Sequence, residues 1–125
     1  MTETRFTIIF YVGDVAKSLD FYTRILERDP VESSPNFAMY ELKPGTMFAL
    51  WARDDVQPTI PVHGTSGELA ILVDNKSVVE SLHKRWSANK TVIAQAPMAM
   101  DFGYTFTALD PDGHRVRVFA LPPGA

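Results

Sequence analysis

The sequence contains no cysteine. Disulfides, thiolate metal centres and thiol nucleophiles are thereby excluded, and a cysteine-free chain fits a reducing cytoplasm, the expected location. Long apolar runs are also missing. Nothing approaches the roughly 18 consecutive apolar residues that a membrane-spanning helix needs. The first ten residues, MTETRFTIIF, lack the basic start and long apolar stretch of a signal peptide. Nor is there a surplus of charge of one sign: 12 Lys and Arg against 15 Asp and Glu give a net charge of −3. Such a balance supplies no footprint for nucleic acid, so neither nucleic acid nor membrane is expected as a partner. What is present is the mix of an ordinary globular domain, with 46% hydrophobic and 22% charged residues. A length of 125 residues suits one domain with one or two layers of core.

The most informative stretch is residues 106–119, FTALDPDGHRVRVF. Asp110-Pro111-Asp112-Gly113 has the composition of a tight turn. Proline presets φ at one corner, aspartate bonds its own backbone, and glycine takes a conformation that a side chain forbids. Strict alternation follows, with Arg115, Arg117 and Phe119 on one face of a strand and Val116 and Val118 on the other. The valine face requires a core. The arginine face requires water, an acidic partner or a guest.

In chain order, the pattern predicts a strand over residues 6–12 and a helix capped by Asp14 with Val15, Leu19, Tyr22 and Leu26 buried. Strands over 36–42 and 47–51 follow, joined by Lys43-Pro44-Gly45-Thr46. Residues 53–66 read as a connector. A strand over 68–73 comes next, then a helix with Ser77 and Glu80 at capping-box spacing and with Val79, Leu82 and Trp86 buried. Residues 90–94 are expected as a short strand, 96–103 as an apolar loop, and 104–109 with 114–119 as a closing hairpin. The order strand–helix–strand–strand–strand thus occurs twice, over about residues 5–52 and 67–120, with the first half one strand short. The expected class is α+β: one domain over 1–125 made of two βαβββ modules, each a curved mixed sheet with a helix on its convex face.

Two segments resemble the signatures of the glyoxalase/bleomycin-resistance/dioxygenase, or vicinal oxygen chelate, superfamily. The opening one runs from Tyr11-Val12-Gly13-Asp14 through Ser18 to Asp20-Phe21-Tyr22, and the closing one is Asp110-Pro111-Asp112-Gly113-His114. The resemblance implies the glyoxalase-like fold and a homodimer, a type of assembly in which some members exchange halves between chains. It also implies where a metal would sit in metal-using members: the positions corresponding to Thr7, Glu68 and Arg117. Glu68 suits a divalent ion, Thr7 is a poor ligand, and Arg117 is a donor-only cation that repels one. The expectation is therefore no metal and no cofactor. Residues 47–51 (MFALW) and Gly103-Tyr104-Thr105-Phe106, with Arg117-Val118, are similar to the metal-free members that sequester phenazine antibiotics. That similarity implies stoichiometric binding of a planar aromatic molecule and drug resistance. The alternative is a metal-dependent lyase, isomerase or dioxygenase with an unusual ligand set, for which the retained Glu68 speaks.

A flat guest needs stacking surfaces, a few polar groups and an apolar wall. The candidate ligand-binding residues are Trp51, Arg117, Glu68, Tyr104, Phe102, Phe48, Tyr40 and Met100, and no catalytic residue is assigned. Trp51 ends a strand, where a purely structural role is equally compatible with the sequence. Arg117 either pairs with Glu68 or meets a ligand carboxylate or ring. Tyr40 and Phe48 either line the open face of the first sheet or fill its core. Phe102, Tyr104 and Met100 lie in an apolar segment that suits an adaptable wall. His63, His83 and His114 are expected at the surface.

Overall fold

A computed structural model of the chain describes residues 5–59 and 68–124. The chain divides into two units, the first ending at His63 and the second beginning at Gly64.

In the first unit, β1 (Phe6–Val12) leads into helix α1 (Val15–Leu26), and β2 (Glu32–Ser34), β3 (Phe37–Lys43) and β4 (Thr46–Ala52) complete the sheet. The strand order is β1-β4-β3-β2. The β1–β4 pair is parallel and the others antiparallel, so the sheet is mixed. Asp14 starts α1 as expected, its carboxylate accepting from Lys17 N at 3.1 Å. The buried stripe of α1 is Val15, Ser18, Phe21, Tyr22 and Ile25. It is rotated from the expected one, leaving Leu19 and Leu26 half-buried at its margin. Opposite the helix, Val12, Ala38, Tyr40, Phe48 and Leu50 are inaccessible to solvent. The Arg28 guanidinium donates to the carbonyls of Leu26, Glu41 and Leu42, tying the end of α1 to the end of β3.

The second unit repeats the order. It comprises β5 (Glu68–Leu72), α2 (Lys76–Ala88), β6 (Val92–Met100), β7 (Gly103–Leu109) and β8 (Arg115–Ala120), in the strand order β5-β8-β7-β6. Here β5 and β8 are parallel and the other pairs antiparallel. Val79 and Trp86 of α2 are buried. The Trp86 and His83 rings meet Phe106 edge-on at 5.1 and 5.4 Å. His83 is therefore half-covered rather than exposed.

Three expectations about elements are corrected. The first half does have its missing strand, β2, a three-residue polar edge strand. Helix α2 starts at Asn75, whose side chain accepts from Val78 N at 3.1 Å, and not at a Ser77 capping box. The apolar segment 96–100 is not a loop but the second half of the nine-residue β6, whose register shifts between Gln95 and Met98. The connector carries a 3-10 turn at Arg53–Asp55; the rest of it from residue 60, including His63, lies outside the described residues.

Two glycines are required by geometry. Gly113 closes the 110–113 turn at φ +88°. Gly103 opens β7 at φ +150°, and a Cβ there would lie 2.0 Å from the Ala120 carbonyl oxygen.

Candidate functional site

The turn between β7 and β8 is braced by one buried carboxylate. Asp110 Oδ1 accepts from the backbone N–H groups of Asp112 and His114 at 2.9 and 2.8 Å, and Oδ2 lies 2.7 Å from His114 Nδ1. These bonds fix where β8 begins and therefore which of its residues face which side. Val116 and Val118 go inward under α2 and are inaccessible. Arg115, Arg117 and Phe119 occupy the open face, as the alternation predicts.

Cross-strand register brings a polar set to Arg117 on that face. Thr107 on β7 is opposite Arg117, and Gln95 on β6 is opposite Thr107. Ala70 on β5 is the other direct neighbour of Arg117; Glu68, two residues back, shares Ala70's face. Arg117 Nε donates to Glu68 Oε2 at 2.6 Å and Nη2 to Oε1 at 3.3 Å, a bidentate pair. Nη1 donates twice more, to Gln95 Oε1 at 3.1 Å and Thr105 Oγ1 at 3.2 Å. Thr105 passes the chain on, donating to the Val118 carbonyl at 2.9 Å. Thr107 donates to the same Gln95 oxygen at 3.1 Å. Four of the five guanidinium N–H groups are thus satisfied within the sheet. The Phe102 ring covers the guanidinium at 5.6 Å and touches Phe119 edge-on at 5.9 Å. The side chains of Arg117 and Glu68 are 15% and 30% exposed, so the pair is partly dehydrated.

Around this polar centre the open face is apolar. Leu72, Val92, Met98, Met100 and Phe102 are all exposed. A sheet face that sets a fixed cation among exposed apolar side chains has the makings of a binding surface. Sequence reasoning missed Gln95, Thr105 and Thr107. Alternation back from Arg117 across the hairpin would have found the two threonines, but Gln95 sits beside a register shift that no pattern signals.

The remaining candidates separate. Tyr40 and Phe48 are corrected: they do not line the open face but lie beneath α1. Tyr40 donates to the Leu19 carbonyl at 3.0 Å and pairs with the Thr23 hydroxyl at 2.8 Å. Phe48 packs against Tyr22 and Phe10. Burial raises the Tyr40 phenol above its ordinary value of 10.0, opposed by the Thr23 hydrogen bond and aided by Asp29 and Asp20. Tyr104 is also turned toward the helix. Its hydroxyl donates to Glu80 at 3.4 Å, and the Lys76 ammonium sits 4.7 Å over its ring. Partial burial and the Glu80 carboxylate raise its phenol above 10.0. Tyr104 therefore does not share the Arg117 face. With Met100, Leu72 and Lys76 it instead lines a cavity of about 760 Å³ at the end of the second sheet. Trp51 does reach the open face of its own sheet, half-exposed, with Phe37 opposite and Tyr11 edge-on at 6.3 Å.

A model of the glyoxalase/bleomycin resistance protein/dioxygenase superfamily matches residues 5–118. The chain belongs to this superfamily. The phenazine antibiotic resistance protein EhpR of Enterobacter agglomerans is 30% identical over 116 residues, spanning 90% of this chain and 88% of EhpR. Protein ATC0852 of Agrobacterium tumefaciens, solved by NMR, is 44% identical with a TM-score of 0.81, covering 98% of this chain and 99% of that one. A glyoxalase-related enzyme from Fulvimarina pelagi is 24% identical with a TM-score of 0.83, covering 100% and 94% of the two chains, and shows the shared fold. One of these relatives is named a resistance protein and another a glyoxalase-related enzyme, and the fold does not choose between the two.

The residues at hand fit a superfamily metal poorly. Both Glu68 oxygens are engaged by Arg117, whose guanidinium has no lone pair to offer and carries a fixed positive charge. Among the described residues, Asp110, Asp112 and His114 do bring ligand atoms within 4.8 Å of one another. There the Asp110 oxygens are taken up in holding the turn.

Proposed function

We propose that the protein binds and sequesters a planar aromatic antibiotic of the phenazine type, without a metal and without chemical turnover, and so protects the cell that makes it. The observation that carries this reading is the Glu68–Arg117 pair. Where metal-using members are expected to hold an ion, this chain holds a hydrogen-bonded ion pair set in an apolar sheet face. Such a face suits a flat guest. Phe102 and the methionines supply an adaptable wall. The guanidinium supplies a face for the ring, and its one remaining N–H is left for an acceptor on the guest's edge. EhpR, named as a phenazine antibiotic resistance protein, agrees with it in guest class. In this reading Trp51 adds a stacking surface on the first sheet, and the protein works as a cytoplasmic homodimer.

The test is a fluorescence titration of the purified protein with phenazine-1-carboxylic acid, with and without EDTA. Saturable quenching that is indifferent to EDTA, with the guest recovered unchanged, is expected. Binding that requires added metal, or conversion of the guest, would replace this reading with a metal-dependent enzyme.

A further inference from the structure

Gln95 is held in one orientation. Its Oε1 accepts from Arg117 Nη1 and from Thr107 Oγ1, both at 3.1 Å. A guanidinium only donates, so turning the amide over would set two donors against each other. The Nε2 group is consequently aimed away from the network. Its partner among the described residues is the Met100 sulfur at 3.4 Å, a weak acceptor on a pliable side chain. Apart from the fifth guanidinium N–H of Arg117, the other donors of the cluster bond to an oxygen. Gln95 is thus an anchored donor on an apolar open face, and its one protein acceptor is easily displaced.

We propose that Gln95 determines specificity in this site, with Nε2 donating to an acceptor on the rim of the aromatic guest, a ring nitrogen or a carbonyl oxygen. The inference rests on the binding reading above and narrows it from flat aromatics to flat heteroaromatics with an acceptor edge. The physical basis is asymmetric. A guest with a rim acceptor replaces both the sulfur contact and the water on the amide. A carbocyclic guest of the same shape removes that water and returns nothing, leaving a covered N–H unsatisfied.

The test compares phenazine-1-carboxylate with anthracene-1-carboxylate, which match in shape and charge and differ in the ring nitrogens. Both are titrated calorimetrically into the wild-type protein and into Gln95→Glu and Gln95→Met. Gln95→Glu keeps an oxygen for Arg117 and Thr107 but has no N–H. Gln95→Met keeps the length and removes both groups. The readout is the ratio of the two affinities, so a general loss from added charge or altered packing cancels. The wild type is expected to favour the phenazine acid about tenfold, and both variants to bring the ratio close to one. Equal binding of both acids by the wild type, or a preference that survives in the variants, overturns the role of Gln95 and leaves the binding reading standing. Failure of the wild type to bind either acid overturns the binding reading and this inference with it.

Discussion

Breaking the Glu68–Arg117 pair in a double-mutant cycle should show how much the open face depends on it. Arg117→Met keeps a long apolar stem and removes the guanidinium. Four hydrogen bonds disappear: two to Glu68, one to Gln95 and one to Thr105. A fully buried pair loses about 3–5 kcal/mol when one partner is deleted, and an exposed pair about 0–1. At 15% and 30% side-chain exposure this pair lies between those limits, because Glu68 regains water once it is freed. We expect Arg117→Met to cost about 2 kcal/mol, or a fall in Tm of roughly 6–8 °C for a chain of this length. Glu68→Gln should cost about 1 kcal/mol, since an amide still accepts from Nε. The coupling energy should come to about 1 kcal/mol. It should shrink only slightly in about 0.5 M salt, because the pair is partly shielded from solvent. Urea unfolding followed by circular dichroism and tryptophan fluorescence together measures this, with coincident curves licensing the two-state analysis. A coupling below about 0.3 kcal/mol would mean that the pair does not form in solution. The account of the polar centre would then fail.

Three further outcomes follow from particular residues. Gly103→Ala places a methyl 2.0 Å from the Ala120 carbonyl oxygen at φ +150°; a loss of about 3 kcal/mol is expected, and a Tm within two or so degrees of wild type would refute the close approach. Tyr40 has a raised phenol pKa, so the proton is held more tightly in the folded state. Its contribution is complete below pH 10.0 and lost as pH rises from there through the folded pKa. Tyr40→Phe should therefore cost about 1 kcal/mol near neutrality, through the lost bonds to Leu19 and Thr23. It should also flatten the fall in stability as pH rises above 10.0, and an unchanged alkaline slope in urea titrations would argue against burial as its cause. Trp51→Ala should weaken binding of the phenazine acid about tenfold through lost stacking; unchanged calorimetric affinity would show that Trp51 does not touch the guest.

Much of this architecture was legible because the signals are local. The Asp110-Pro111-Asp112-Gly113 turn and the alternation after it place Arg117 on the open face without any tertiary information. The possible partnership with Glu68 follows once strands β5 and β8 are set side by side. What escaped was carried by context. Strand β2 is only Glu-Ser-Ser, a polar edge with no apolar pattern to read. Residues 96–100 contain Pro97 and do not alternate in polarity, yet β6 is an edge strand with a register shift, where proline is tolerated. At the start of α2, Asn75 and Ser77 are both good caps by type, and the helix takes the earlier one. Tyr40, Phe48 and Tyr104 are aromatic residues in strands, and a strand residue's chemistry does not say which face it takes. A register read from the Arg117 hairpin puts Tyr104 beside Phe106, under the helix.

In the binding reading proposed above, a flat aromatic acid seats on the open face of the second sheet, at Arg117, with no metal. Amide correlation spectra of isotope-labelled protein, recorded in EDTA during titration with phenazine-1-carboxylic acid, test it most directly. Saturable shifts concentrated at Glu68, Gln95, Phe102, Thr105 and Arg117 are expected. Shifts confined to Asn75, Lys76 and Tyr104 at the end-of-sheet cavity, or no shifts until metal is added, would contradict it.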